Sequence, residues 1–230
     1  MSDSSWDALY LAQRGSSVFR LEARGIAGHS ADAVAVQERA GWALARALTA
    51  LAEAELFRGA CHPLDGSPPL VNLATMVSGG ITPWQHPHTL EATIEIRTVP
   101  GMTADSVTTE LREPLRREGL DGRVTISPVG WSVPTRPAED ARLMSAVSAG
   151  LDLALGHVPR TAVFPATTDA VFLDAIGIPT IPALGPGSLR DVHQPNESLP
   201  VRDLEVAAGL IVGVCRAWRT HPPFNGRPTS

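Results

Sequence analysis

Residues 90–99, LEATIEIRTV, constrain this chain more than any other stretch. Leu90, Ala92, Ile94 and Ile96 fall on one side, and Glu91, Thr93, Glu95 and Arg97 on the other. That period of two belongs to a strand with one buried and one wet face. Pro100 and Gly101 end it. Residues 18–24 repeat the pattern, with Phe19, Leu21 and Ala23 opposed to Arg20, Glu22 and Arg24. Half-buried strands need helices over their apolar side, and two stretches provide them. Residues 33–57 carry Leu44, Leu48 and Leu51 at i, i+4 and i+7, one helix face. Residues 103–118 open on Thr103 as a cap and align Val107, Leu111 and Leu115. Pro114 is expected to kink or shorten that helix. With strands at 70–77 and 123–127, the order is β-α-β-β-α-β, the ferredoxin-like split motif.

After a linker at 134–137 the order becomes α-β-α-β-α. The spacing predicts a helix over 138–155 stopped by Gly156, a strand at 161–164, and a short helix capped by Thr168 and ended by Gly177. A buried strand at 178–183, a loop at 184–199 and a helix over 201–219 follow. The last helix is read as burying Leu204, Ala208, Ile211, Cys215 and Trp218, with a frayed tail at 221–230. Two strands are few for such a segment, because a parallel sheet buries both of its faces. The expected fold class is therefore α/β of the α+β kind. A ferredoxin-like domain spans 17–132, and a truncated α/β segment is built from 1–16 and 133–220.

Composition narrows the partners. The 230 residues are 43% hydrophobic and 19% charged, a globular balance. The net charge of −5 comes without a basic block, which argues against nucleic acid. Two distant cysteines, Cys61 and Cys215, fit a reducing cytoplasm. The N-terminal stretch lacks the basic and apolar regions of a signal peptide. The apolar run at 207–214 is too short for a bilayer, which needs about 20 residues. A soluble cytoplasmic protein is expected, with no membrane partner.

Three stretches carry a resemblance. Residues 14–31 hold RG and then FRLEARGIAGHSA, a strand followed by G-x-x-x-H-S. Residues 71–101, VNLATMVSGGITPWQHPHTLEATIEIRTVPG, end in I-R-x-x-P. Residues 167–204 hold T-D-A, G-I-P, G-P-G and H-x-P-N-E in order. In this order the motifs resemble the zinc amidohydrolases and metallopeptidases that include acetylornithine deacetylase, succinyl-diaminopimelate desuccinylase, aminoacylase and carboxypeptidase G. The resemblance implies a lid that pairs subunits as a homodimer, and a small carboxylate-bearing substrate such as an N-acyl amino acid or peptide. It implies that His29 helps hold the oxyanion in the partner subunit's site and that Arg97 binds the substrate carboxylate. Gly185, Pro186 and Gly187 would line the pocket beside Asn196 and Glu197. His193 and Asp3 would be what remains of the zinc ligands.

The departures are as informative. The family's H-x-D pair, bridging Asp and Glu-Glu pair have no counterpart in these residues. Without clamped metals nothing brings the pKa of water toward 7, and without the Glu nothing takes its proton. The chain alone is therefore expected to hold no zinc, and zinc only when a partner chain supplies the missing half. Where the family has a substrate-binding Asn after Gly-Gly, this sequence has Trp84 nearby. Two other readings stand beside this one. One is a metal-free enzyme using His29, Asp169 and His193, since imidazoles titrate near neutral pH. The other is a non-enzymatic dimerisation module. Each residue also has a plain reading: His29 as a surface turn, Arg97 as a cross-strand ion pair, and Asp169 as support for a helix N-terminus. His86 and His88, at i and i+2, are a further candidate metal pair, with Pro87 between them arguing for a loop.

Overall fold

A computed structural model of the chain describes residues 6–220 except 190 and 193. In chain order the strands and helices are β1 (Ala8–Gln13), β2 (Ser16–Arg24), β3 (Gly28–His29), α1 (Ala40–Glu53), β4 (Leu70–Gly79), β5 (Gln85–His86) and β6 (Thr89–Arg97). Then come α2 (Ala104–Arg117), β7 (Val124–Ser132), α3 (Ala141–Leu155), β8 (Arg160–Phe164), α4 (Ala170–Ala175) and α5 (Val201–Thr220). They fall into two compact units. One runs from Arg14 to Pro134; the other joins the described residues up to Gln13 to those from Thr135 onward. The tail at 221–230 lies outside the described residues.

The unit of residues 14–134 is built on an antiparallel sheet in the order β4-β6-β2-β7. Register follows the alternation read from the sequence. Phe19 faces Ile94 and Leu21 faces Ala92 across β6, while Leu21 faces Ile126 across β7. This inner row is buried under Leu44, Ala47 and Leu51 of α1 and Val107, Leu111 and Leu115 of α2. Each large side chain removed from water contributes roughly 1.5–3 kcal/mol, so this layer holds the unit together. The β-α-β-β-α-β order and the strand order together make the ferredoxin-like fold.

The helices differ in detail from the expectation. The stretch from 33 to 57 yields only α1, preceded by a single 3-10 turn at Val36–Glu38. The cause is docking of the approach onto the end of β2. Ile26 N donates to Glu38 O at 2.8 Å, and a Cβ on Gly25 would lie 2.1 Å from Ala40 N. Arg39 is held extended, its guanidinium donating to Val34 O. α2 begins as expected: Thr103 Oγ1 accepts from Ser106 N, and Ser106 Oγ accepts from Thr103 N. Pro114 does not shorten it. The helix continues to Arg117, because buried Leu111 and Leu115 anchor it on both sides of the lost hydrogen bond.

β4 is an edge strand with a bulge. Asn72 pairs with Glu95 but Met76 pairs with Thr93, and Ala74 between them takes φ 54°. β7 carries a smaller irregularity, skipping Val129 between Gly130 opposite Val18 and Pro128 opposite Phe19. A bulge also permits a proline at that edge.

In the other unit β1 and β8 pair in parallel, and Tyr10 bridges to Ala183. α3 is capped by Asp140, whose Oδ1 accepts from Leu143 N at 2.7 Å, and stops at Gly156 with φ 76°. α3 and α5 cross where both are bare: a Cβ on Gly213 would sit 2.8 Å from Gly150 Cα. Trp6, Leu9, Val147, Leu151 and Leu210 form the core.

Two expectations fail in this unit. No described residue of 178–183 forms a strand beyond the single bridge at Ala183. Pro179 and Pro182 lack the N–H that a ladder needs, and Ile178 is exposed. The buried face of α5 is also rotated from the expected one. Leu210 and Gly213 are buried, with Val206, Ala207 and Val214 packed beside them, whereas Leu204, Ile211 and Cys215 are exposed. The glycine crossing decides the rotation, because only the Gly213 side lets α3 come so close. Among the described residues no helix is long and apolar enough to cross a membrane.

Candidate functional site

His29 sits on a two-residue ribbon in which β3 pairs with β5, Gly28 opposite His86 and His29 opposite Gln85. Asp32 shapes the turn by accepting from His29 N through Oδ2 at 2.7 Å. Gly28 makes room for that carboxylate, since a Cβ there would stand 2.7 Å from it. The imidazole is exposed, and its Nδ1 accepts from Ala31 N at 3.1 Å. A neutral ring accepting at Nδ1 carries its proton at Nε2. Nε2–H is thus the group His29 offers to a ligand. Trp84 belongs to the same ribbon: its carbonyl accepts from Ser30 N at 2.8 Å and its side chain is 69% exposed. The geometry joins His29 to Trp84, a pairing that sequence distance concealed.

His86 ends β5 and His88 lies just before β6. His88 Nδ1 lies 2.9 Å from Gly25 O and donates to it. Among the described residues, no three or more His, Cys, Asp or Glu side chains cluster to hold a metal ion.

Arg97 closes β6, opposite Leu70. Its guanidinium lies 2.7 Å from Glu95 Oε1, and both side chains are half-buried on the sheet face away from the helices. Glu95 also accepts from Ser16 Oγ and Asn72 Nδ2, each at 3.1 Å. The ribbon with His29 lies beyond the other end of β6, where Thr89 pairs with Arg24. A nine-residue strand separates the two, which is roughly 25 Å. One chain therefore does not bring His29 and Arg97 to the same small ligand.

The G-P-G loop lies in the other unit. Gly185, Pro186 and Gly187 line a cavity of ≈ 960 Å³, as does Glu197, whereas Asn196 is exposed away from it. Trp6, Tyr10, Arg160 and Phe164 also line it, and the sequence reading had not singled them out. Tyr10 and Phe164 meet edge to face at 5.1 Å across the β1–β8 pair. A strand alternation shared by both would have been the signal. Asp169 is exposed at the start of α4 and makes no capping bond; Thr168 Oγ1 instead accepts from Ala170 N. The Thr168 backbone is clamped by fully buried Gln13, whose Oε1 accepts from Thr168 N at 2.9 Å and whose Nε2 donates to Thr168 O at 3.1 Å. Asp3 and His193 lie outside the described residues.

Similarity to known proteins agrees with this architecture. Residues 11–123 match the peptidase dimerisation domain family. Over 212 residues the chain is 28% identical to succinyl-diaminopimelate desuccinylase of Alkalilimnicola ehrlichii, covering 91% of this chain and 54% of that one. It is 30% identical over 207 residues to acetylornithine deacetylase of Myxococcus xanthus, covering 84% and 50%. The fold superposes on a dipeptidase from Saccharomyces cerevisiae with a TM-score of 0.78 at 15% identity, over 96% of this chain and 57% of that one. A metallo-carboxypeptidase from Sulfolobus solfataricus gives 0.67 at 18% identity, over 92% and 60%. The chain thus spans about half the length of these relatives. Residues 11–123 match the peptidase dimerisation domain family, and succinyl-diaminopimelate desuccinylase and acetylornithine deacetylase are relatives of this chain over about half of their length.

Proposed function

We propose that this chain works within a cytoplasmic amide hydrolase for N-acyl amino acids or small peptides, as the part that pairs subunits and grips the substrate. The separation of His29 from Arg97 along β6 carries this reading. Two groups suited to one small ligand, yet too far apart in one chain, call for a second copy. The open edge of β4, with Met76 and Val77 exposed, offers that copy a strand to pair with. In such a homodimer Arg97 takes the ligand carboxylate by charge-assisted hydrogen bonds. His29 of the other copy donates from Nε2 to the oxygen on which charge develops at the scissile carbonyl. Trp84, on the ribbon that carries His29, gives the ligand an aromatic face.

The described residues do not fit a zinc pair, since they assemble no cluster of metal-ligating side chains. No hydrolytic step is therefore assigned to them. In this reading the residues that hold zinc and take the proton from water come from a companion polypeptide with H-x-D and Glu-Glu motifs. The test is the zinc content and N-acyl amino acid hydrolysis of the purified chain, alone and with its genomic neighbour, alongside light scattering. We expect a zinc-free dimer alone, and zinc with activity once the companion is present. A monomer that stays inert with the companion would sink the proposal.

A further inference from the structure

The Arg97 pair differs from the other ion pairs on its sheet face. Arg20 is 3.8 Å from Glu91, and both Arg20 and Arg24 stand well out in solvent. Exposed pairs of that kind contribute little. Glu95 and Arg97 are only 21% and 25% exposed, and Ser16 and Asn72 fix the carboxylate from two neighbouring strands. Glu95 is thus held in place by groups other than Arg97.

This has a chemical consequence for any ligand. Glu95 receives three donors, from Ser16, Asn72 and Arg97. A carboxylate accepts about four, so one position, on Oε2, stays open. Arg97 presents about five N–H donors, of which Glu95 engages Nη2. The guanidinium charge is already neutralised. A ligand bearing only a carboxylate meets a neutral pair and gains less than it would from a lone arginine. A ligand with a carboxylate and an N–H on the adjacent carbon gains twice: its carboxylate bonds the remaining edge of Arg97, and its N–H donates to Glu95.

We propose that Glu95 is a specificity-determining residue of the Arg97 site, and that the site selects carboxylates carrying an N–H on the α-carbon, the end of an N-acyl amino acid or peptide. The inference rests on the reading of Arg97 as the carboxylate site and adds the second point of recognition.

The probes are N-acetylglycine and N-acetylsarcosine, which differ by one methyl group that replaces the N–H. Each is titrated into the full chain while the arginine side-chain N–H signals are followed by nuclear magnetic resonance. N-acetylglycine is expected to shift the Arg97 signal and to bind about tenfold more tightly than N-acetylsarcosine, the scale of one hydrogen bond to a charged group. Glu95→Ala is expected to erase that difference, and Glu95→Gln, which keeps a carbonyl acceptor, to retain part of it. Equal binding of the two probes by the unsubstituted chain overturns the inference, and so does a difference that survives Glu95→Ala. The probe comparison needs no substitution, so it decides the matter even if the Ala variant fails to fold. If neither probe moves Arg97 and Arg97→Met changes nothing, the carboxylate-site reading itself falls. That outcome is distinct from probes that bind without discrimination.

Discussion

The two units solve the same packing problem to different extents. In residues 14–134 the apolar side of a four-stranded sheet is fully covered, and Phe19, Leu21, Ile94 and Ile96 have no measurable exposure. In the other unit a two-stranded parallel pair packs against α3 and α5, yet α4 with its cap residue Ile176, and α5, still show Phe172, Ile176, Val201 and Ile211 to solvent. Parallel strands normally lie beneath helices on both faces, and exposed apolar patches mark interaction surfaces. The difference teaches that the sheet core of the first unit is complete by its own contacts, with only its β4 edge left open, whereas the second has apolar helix surface that nothing in its own unit covers.

The sharpest way to attack this comparison is to damage the complete core. Phe19 is fully buried and meets Trp131 edge to face. Phe19→Ala is expected to lower unfolding stability by about 3–5 kcal/mol, transfer and cavity terms together. Urea unfolding followed by tryptophan fluorescence measures it. A loss under ~1 kcal/mol would mean that the first unit is not the tightly packed one.

The next effect belongs to the second unit. Gly150 admits no side chain, because a Cβ would lie 2.6 Å from Val214 Cγ2 and 2.9 Å from Leu210 O. Gly150→Val overpacks the α3–α5 crossing and is expected to cost about 1–3 kcal/mol, plus the β-branched penalty within a helix. Calorimetry resolves it if the units melt separately. A neutral result would show that the helices slide apart freely, making that unit looser than its core contacts imply.

These two sites also show what the sequence made legible. Period-two alternation identified β2 and β6 and hence the covered sheet, because strict alternation has one structural meaning. Helix existence was legible too, from Thr103 and Gly156 as start and stop signals. The orientation of α5 was not. Leu204, Ile211 and Trp218 fit a helical stripe as well as Leu210 and Val214 do, and only the pairing of Gly150 with Gly213 selects between them. That pairing joins residues far apart in the chain. For the same reason the link between His29 and Trp84, and the bonds from Ser16 and Asn72 that fix Glu95, lay beyond local pattern. Motif resemblance singled out His29 and Arg97 and assigned His29 to the partner subunit's site, but only the strand register shows that β6 lies between them in one chain.

A smaller effect should sharpen the first unit further. Ala74 holds φ 54° in the β4 bulge, a left-handed conformation that costs a residue with a Cβ roughly 1–2 kcal/mol. Ala74→Gly removes that steric term but loosens the unfolded chain. A net gain of about 0.5–1 kcal/mol is expected by urea unfolding. A loss would show that the bulge is not strained.

The smallest expected effect tests the comparison most directly. Phe172 on α4 and Ile176 at its C-terminal cap lie about one turn apart and are 69% and 71% exposed. If that face is open in the free chain, Phe172→Ser removes no packing, and stability should stay within about 0.5 kcal/mol. Binding of an apolar dye should fall, because the patch shrinks. If the companion covers this face, the same substitution should weaken capture of the companion while leaving the β4-mediated dimer intact. A large stability loss in the free chain would break the comparison, for it would mean that α4 is already covered in solution. The exposure of Phe172 and the incompleteness of the second unit stand or fall together on that one measurement.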